Sequence, residues 1–193
     1  TLLLSITVYI LTRKNDQELR IKDGYIIVTL GWLTFSMLGA LPYYISGFIP
    51  SYADAFFETM SGFTTTGATI LTNVEVLPES IQFWRCFSHW LGGMGIIVLA
   101  VAVLPMLGIR GMQLYRAETP GPMKDNKLTP RITETAKALS YIYLGLTVSC
   151  AVAYWFVGMD VFDAIAHSFS TVAIGGFSTH DLSIGYFQSE AVE

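Results

Sequence analysis

Three long runs without a single Asp, Glu, Lys or Arg constrain this chain more than any other feature: Gly24 to Ala53, Cys86 to Ile109 and Ala138 to Met159. Each meets the roughly 20 residues that a helix needs to cross the hydrocarbon core of a bilayer. The core helix of a soluble protein can imitate one such run, but three within 193 residues point to lipid as the solvent. Charged residues make up 13% of the sequence, about half the ~25% usual in a soluble domain. The expected class is an all-α integral membrane protein.

Basic residues set the orientation. Ten of the eleven Lys and Arg fall in two stretches: Arg13, Lys14, Arg20 and Lys22, then Arg110, Arg116, Lys124, Lys127, Arg131 and Lys137. By the positive-inside rule, loops 12–23 and 108–137 are cytoplasmic. Residues 49–82 and 158–193 hold nine carboxylates and no Lys or Arg, so they face outward, where negative charge gathers cations. A basic inner face and an acidic outer one argue for membrane topology and against nucleic-acid binding. Thr1 to Leu11 is apolar but too short to span and lacks the basic start of a signal peptide, so it is expected to be the end of a preceding helix. The whole is expected to be a fragment. Cys86 and Cys150 lack metal-ligand spacing and read as small core residues.

Between an outward span over 24–49 and a returning span over 82–107 lies a segment too short to cross. Ser51 to Phe63 reads as a helix: Pro50 precedes it, Ser51 can cap it, and Asp54 sits three residues on, as in a capping box. It is followed by the polar stretch 64–69, Thr64-Thr65-Thr66-Gly67-Ala68-Thr69. Irregular backbone is tolerated at membrane depth only inside protein or beside water. Span, half-helix, polar turn and span together describe a re-entrant pore loop.

The pattern returns in the second half of the chain at one constant offset. Asp160 aligns with Ser51, Asp163 with Asp54, Ala164 with Ala55, Ser170 with Ser61 and Gly176 with Gly67. A span over 138–157 leads to a half-helix over 160–172 and a turn over 173–178, Ala173-Ile174-Gly175-Gly176-Phe177-Ser178. Both copies enter from outside, so the repeats are parallel about an axis along the membrane normal.

These turns suit a cation. An ion leaving water must regain oxygens, and a ring of backbone carbonyls can supply them. Gly67 and Gly176 permit conformations that turn the carbonyls of Thr65, Thr66, Ile174 and Gly175 toward an axis. Half-helix C-termini near Phe63 and Val172 direct negative dipole ends to the same place. The candidate filter is Thr64, Thr65, Thr66, Gly67, Ala173, Ile174, Gly175 and Gly176. Whether the Thr hydroxyls add ligands or hold the loop stays open.

The stretches AFFETMSGFTTTGATIL, FWRCFSHWLGGMGIIVLAVAVLP, ETPGPMKDNKLTPRITETAKAL and DAIAHSFSTVAIGGFSTHDLSIGYF resemble the Trk-type potassium-uptake proteins of bacteria, in the Trk/Ktr/HKT superfamily. The resemblance covers nearly the whole chain. It implies four helix, pore loop, helix units around one pseudo-fourfold pore, of which one complete repeat (24–107) and one partial repeat (138–193) lie here. It implies potassium (K+) as the transported ion, no covalent cofactor, and residence in the bacterial inner membrane with the pore-loop entrances facing the periplasm. Glycine at position 67, where sodium-transporting plant relatives have serine, implies potassium. As partners it implies membrane lipid, a second copy forming a homodimer, and a cytoplasmic TrkA-like nucleotide-binding regulatory ring. Loop 108–137 serves either to dock that ring or to orient the chain on lipid headgroups.

Other residues invite readings. Arg85, His89, Trp84 and Trp90 are expected to form an interfacial aromatic belt with a snorkelling arginine. Glu58 and His167, equivalent on the two half-helices, are expected to be hydrogen-bonded struts behind the filter. Gly92, Gly93 and Gly95 let the returning helix approach the pore loop. His180 and Asp181 are expected in a solvated vestibule, where they could also attract cations. An enzyme is not expected, since no H-E-x-x-H spacing links the three histidines. The alternatives are a proton- or sodium-coupled symporter of the same superfamily and a non-conducting structural or receptor subunit.

Overall fold

The structure, a computed structural model, describes residues 21–103, 128–189 and 192. The expected helix end at Thr1 to Leu11, most of loop 12–23, and residues 104–127 lie outside the described residues. Among those described the chain is helical with no strand: α1 (Ile21–Gly39), α2 (Leu41–Ser46), α3 (Tyr52–Phe63), α4 (Glu79–Val103), α5 (Leu128–Phe156), α6 (Val161–Val172) and a 3-10 turn at Ser183–Phe187.

The outward span expected over 24–49 is interrupted. Helix α1 gives way to α2 at Ala40, although Ala40 itself stays right-handed (φ −73°, ψ −22°) and still accepts from the Tyr44 N–H at 3.1 Å. Pro42 lies in the first turn of α2, and its ring removes the N–H that would continue the ladder. The second outward helix differs in the other direction: α5 begins at Leu128, so residues 128–137, expected as loop, are helical.

Two stretches, Val28–Ser46 and Glu134–Phe156, are long and apolar enough to cross a membrane, and only 22% and 11% of them is buried. A core helix would be mostly covered. Here Phe35, Ile45, Tyr141 and Phe156 stand 64%, 77%, 74% and 76% exposed, an apolar surface that water would not tolerate on this scale. The third expected span, α4, has 25 residues and so reaches about 37 Å.

The half-helices α3 and α6 have 12 residues each. Ser51 caps α3 by accepting from the Asp54 N–H at 3.4 Å; Asp160 caps α6 by accepting from the Phe162 N–H at 3.1 Å. These bonds satisfy N–H groups that the helix start leaves orphaned.

Helix α4 is the spine of the molecule, packed against α3, α5 and α6, while α3 also rests on α1 and α2. Lipid gives helices little hydrophobic reason to associate, so close approach and hydrogen bonds carry the packing. A Cβ built on Gly92 would overlap the Phe63 carbonyl oxygen, and one on Gly93 would overlap the Tyr143 hydroxyl. Gly95 makes only an ordinary contact, with Trp32 at 3.4 Å. Cys86 is fully buried with Ala166 and Phe177 between α4 and α6. The rings of Phe83, Phe87 and Trp90 stack along α4 and close on Phe169 of α6, with centroids 5.6–5.8 Å apart.

Candidate functional site

The chain leaves each half-helix in the same way. After α3, the Thr65 N–H donates to Gly62 O (3.0 Å) and the Thr66 N–H to Ser61 O (2.9 Å). After α6, the Ile174 N–H donates to Thr171 O (3.0 Å) and the Gly175 N–H to Ser170 O (2.8 Å). This pair of bonds is the Schellman motif, which requires a left-handed residue at the position of Thr65 and Ile174. Their φ values are 55° and 57°. Glycine normally sits there, and a β-branched residue in this region is a true outlier that costs of order 1–3 kcal/mol. Two residues further, Gly67 and Gly176 are again left-handed, at φ 75° and 96°. The internal repeat seen in the sequence is thus a repeat of backbone conformation, strain included.

The two turns touch. A Cβ on Gly67 would overlap the Gly175 carbonyl oxygen and lie 3.6 Å from the Gly176 Cα. Of the eight candidate filter residues, Gly67 of the first turn thus lies directly against Gly175 and Gly176 of the second. Within the first turn, Thr64 Oγ1 donates to Met60 O at 2.8 Å and lies 2.8 Å from Thr66 Oγ1, so these two hydroxyls hold the loop. Ala173 is buried, whereas the Ile174 side chain is 88% exposed beside an open cleft of about 340 Å³ on the flank of the second turn.

Behind the turns stand the two struts. Glu58, fully buried, accepts from Thr69 Oγ1 (2.8 and 3.0 Å) and from the Ile70 N–H (3.1 Å). His167, its equivalent, shares a hydrogen bond with Ser178 Oγ at 2.9 Å through Nε2 and reaches Asp163 O through Nδ1, also at 2.9 Å. Thr69 and Ser178 stand at the same offset in the sequence as Gly67 and Gly176, so the second strut copies the first.

The aromatic-belt reading of α4 is overturned. Arg85 is 1% and His89 0% exposed, and neither reaches an interface. Arg85 Nε donates to Glu58 Oε1 at 2.9 Å, Nη1 to Ser178 O at 3.0 Å and Nη2 to Thr69 Oγ1 at 3.4 Å, with the guanidinium 4.2 Å above the Phe177 ring. His89 shares a hydrogen bond with Ser170 Oγ at 2.9 Å, stacks on Phe177 at 4.1 Å and backs directly onto Gly175. The indoles are helix fasteners: Trp84 donates to Gly39 O (3.0 Å) and Trp90 to Thr147 Oγ1 (2.9 Å). Burial of a charged group requires a partner. Glu58 supplies it from the preceding half-helix, which the local pattern of Trp and Arg does not disclose.

The vestibule reading also changes. His180 is stacked on Tyr186 at 3.5 Å, lies 3.0 Å from Asp163 Oδ2, and is 3.5 Å from Glu75 Oε1. Asp181 is exposed, yet accepts from the Val74 N–H at 2.6 Å. These contacts tie the outer segments of the two repeats together. The repeat offset would have found Thr69 and Ser178; nothing in the sequence pairs Arg85 with Ser178. Among the described residues no cluster of His, Cys, Asp and Glu is arranged to hold a metal ion.

The same architecture occurs in known proteins. The family model described as "TrkH: Cation transport protein" matches residues 1–192. The Trk system potassium uptake protein TrkH of Vibrio parahaemolyticus is 61% identical over 93% of this chain and 37% of its own length. The TrkG protein of Escherichia coli is 49% identical over 94% of this chain and 38% of its own. The crystal structure of the potassium transporter TrkH from Vibrio parahaemolyticus superposes with a TM-score of 0.75 at 54% identity, over 93% of this chain and 35% of that one. The chain spans a little over a third of the length of these relatives. A helical membrane fold built from pore-loop repeats, matched in sequence from end to end, makes the assignment: this chain belongs to the TrkH family of cation transport proteins.

Proposed function

We propose that this protein takes part in potassium uptake across the bacterial inner membrane as the pore-forming component of a Trk system. The observation that carries the reading is the contact of two matched left-handed turns, Thr65 to Gly67 and Ile174 to Gly176, at the ends of two half-helices. The positive φ at Thr65 and Gly67, and at Ile174 and Gly176, turns the backbone out of the helical course after each half-helix, where its carbonyls are no longer held by helix N–H groups. The carbonyls of Thr65, Thr66, Ile174 and Gly175 are the proposed K+ ligands, with Thr64 and Ala173 closing the half-helices and Gly67 and Gly176 completing the turns. Helix dipoles and the acidic outer segments favour a cation at the same spot.

Two turns cannot surround an ion, and further loops of the complete protein are proposed to close a pseudo-fourfold ring beside the cleft at Ile174. A second copy of the subunit and a TrkA-like cytoplasmic ring are the proposed partners, with loops 12–23 and 108–137 inside and the pore-loop entrances on the periplasmic side. The relatives' names, each a Trk system potassium uptake protein, support the potassium-uptake reading.

The test is Gly67→Asp or Gly67→Val in the complete gene product carrying this sequence. Potassium-inhibitable rubidium uptake is expected to vanish while the protein still reaches the membrane. Uptake at the unsubstituted rate would refute the proposal.

A further inference from the structure

A guanidinium withdrawn from both water and lipid needs hydrogen-bond partners, and those of Arg85 belong to different repeats. Its Nε meets Glu58 on α3, and its Nη2 meets Thr69, two residues after Gly67. Its Nη1 meets the Ser178 carbonyl, two residues after Gly176. One rigid planar group therefore touches the outer end of both turns. The two struts differ in chemistry where their backbones agree. In the first repeat the strut is a carboxylate, which brings a cation with it; in the second it is an imidazole, His167, which bonds Ser178 by itself. The asymmetry leaves Arg85 free to reach across, and the Phe177 ring beneath it fixes the plane of the fork.

We infer that Arg85 is a positioning residue that sets the spacing between the two filter turns, and through it the discrimination of the pore between alkali ions of different size. This rests on the proposed function of the turns as ion ligands. A carbonyl ring discriminates through the distance and field of its oxygens. Arg85 bonds two residues beyond the left-handed glycine of each turn, at Thr69 and Ser178, whereas Gln82 bridges the two segments farther out, at the Val74 and Thr179 carbonyls. Lysine cannot replace it, because a single ammonium lacks the fork that spans Glu58, Thr69 and Ser178 at once.

The experiment measures rubidium and sodium uptake by the complete protein in proteoliposomes, at equal inserted amounts. Three variants are compared. Arg85→Lys keeps the charge, Glu58→Gln with Arg85→Gln removes both buried charges together, and Thr69→Val keeps both and deletes only the hydroxyl between them. The expected result is persistent rubidium uptake with the rubidium-to-sodium ratio lowered about tenfold in the first two and less in the third. A ratio unchanged from the unsubstituted protein in any variant that inserts overturns the inference. Thr69→Val decides where the other two fail to insert. Lack of potassium-inhibitable rubidium uptake by the unsubstituted protein would overturn the functional reading instead.

Discussion

Gly92→Ala tests whether the seam between α4 and the first half-helix is as tight as its geometry implies. The added methyl carbon would lie 2.7 Å from the Phe63 carbonyl carbon and 3.0 Å from its Cα, and closer still to its oxygen. A carbon normally rests about 3.3 Å from a carbonyl oxygen, so α4 would have to withdraw by roughly 1 Å. Neither side can yield by turning a side chain, since both surfaces are backbone. Overpacking of this kind costs about 1–3 kcal/mol, and the rigid seam puts Gly92 at the upper end. Withdrawal would also loosen the Arg85–Glu58 pair and the edge contact of Phe63 with Trp84, both made by α4. Gly145→Ala in α5 is the matched control: nothing lies within 4 Å of its added methyl among the described residues, and alanine favours a helix by up to about 1 kcal/mol. Denaturation of the purified complete protein in mixed micelles measures both. Gly92→Ala is expected to fall well below the unsubstituted protein and Gly145→Ala to equal or exceed it; equal stability of the two variants would refute the reasoning.

Two further outcomes follow from single hydrogen bonds. Trp84→Phe removes the indole donor to Gly39 O and should cost about 1 kcal/mol while rubidium uptake continues; a loss of uptake at full membrane levels would show that the indole does more than fasten α4 to α1. Ser178→Ala strips the hydroxyl that serves both His167 Nε2 and the His180 N–H, and should cost about 1–3 kcal/mol. An unchanged unfolding midpoint would show that the second strut bears no load.

The sequence disclosed those features that local chemistry fixes. Ser51 and Asp160 mark where the half-helices start because a capping oxygen must sit beside the first free N–H groups. Gly67 and Gly176 mark the turns because a left-handed backbone favours them. Thr65 and Ile174 show the limit of that logic: a β-branched residue argues against a positive φ, and only the turn that follows each half-helix forces it there. Arg85 escapes a local reading for a related reason. Its neighbours Trp84 and Trp90 resemble an interfacial belt, while the partners that explain its burial lie 27, 16 and 93 residues away. Helix α4 lies between the two repeats, so its inward face is decided by tertiary contacts, and periodicity along the chain carries no record of them.

The bond from Arg85 to the Ser178 carbonyl joins residues 93 apart, and a chain is made from one end. At about 5–20 residues per second, synthesis delivers Ser178 roughly 5–19 s after Arg85. Until then the Arg85 donor that meets the Ser178 carbonyl has to be satisfied by water or another group. The first loop can complete its contacts only after the second has been made, so a single side chain gives the assembly of the two turns an order in time.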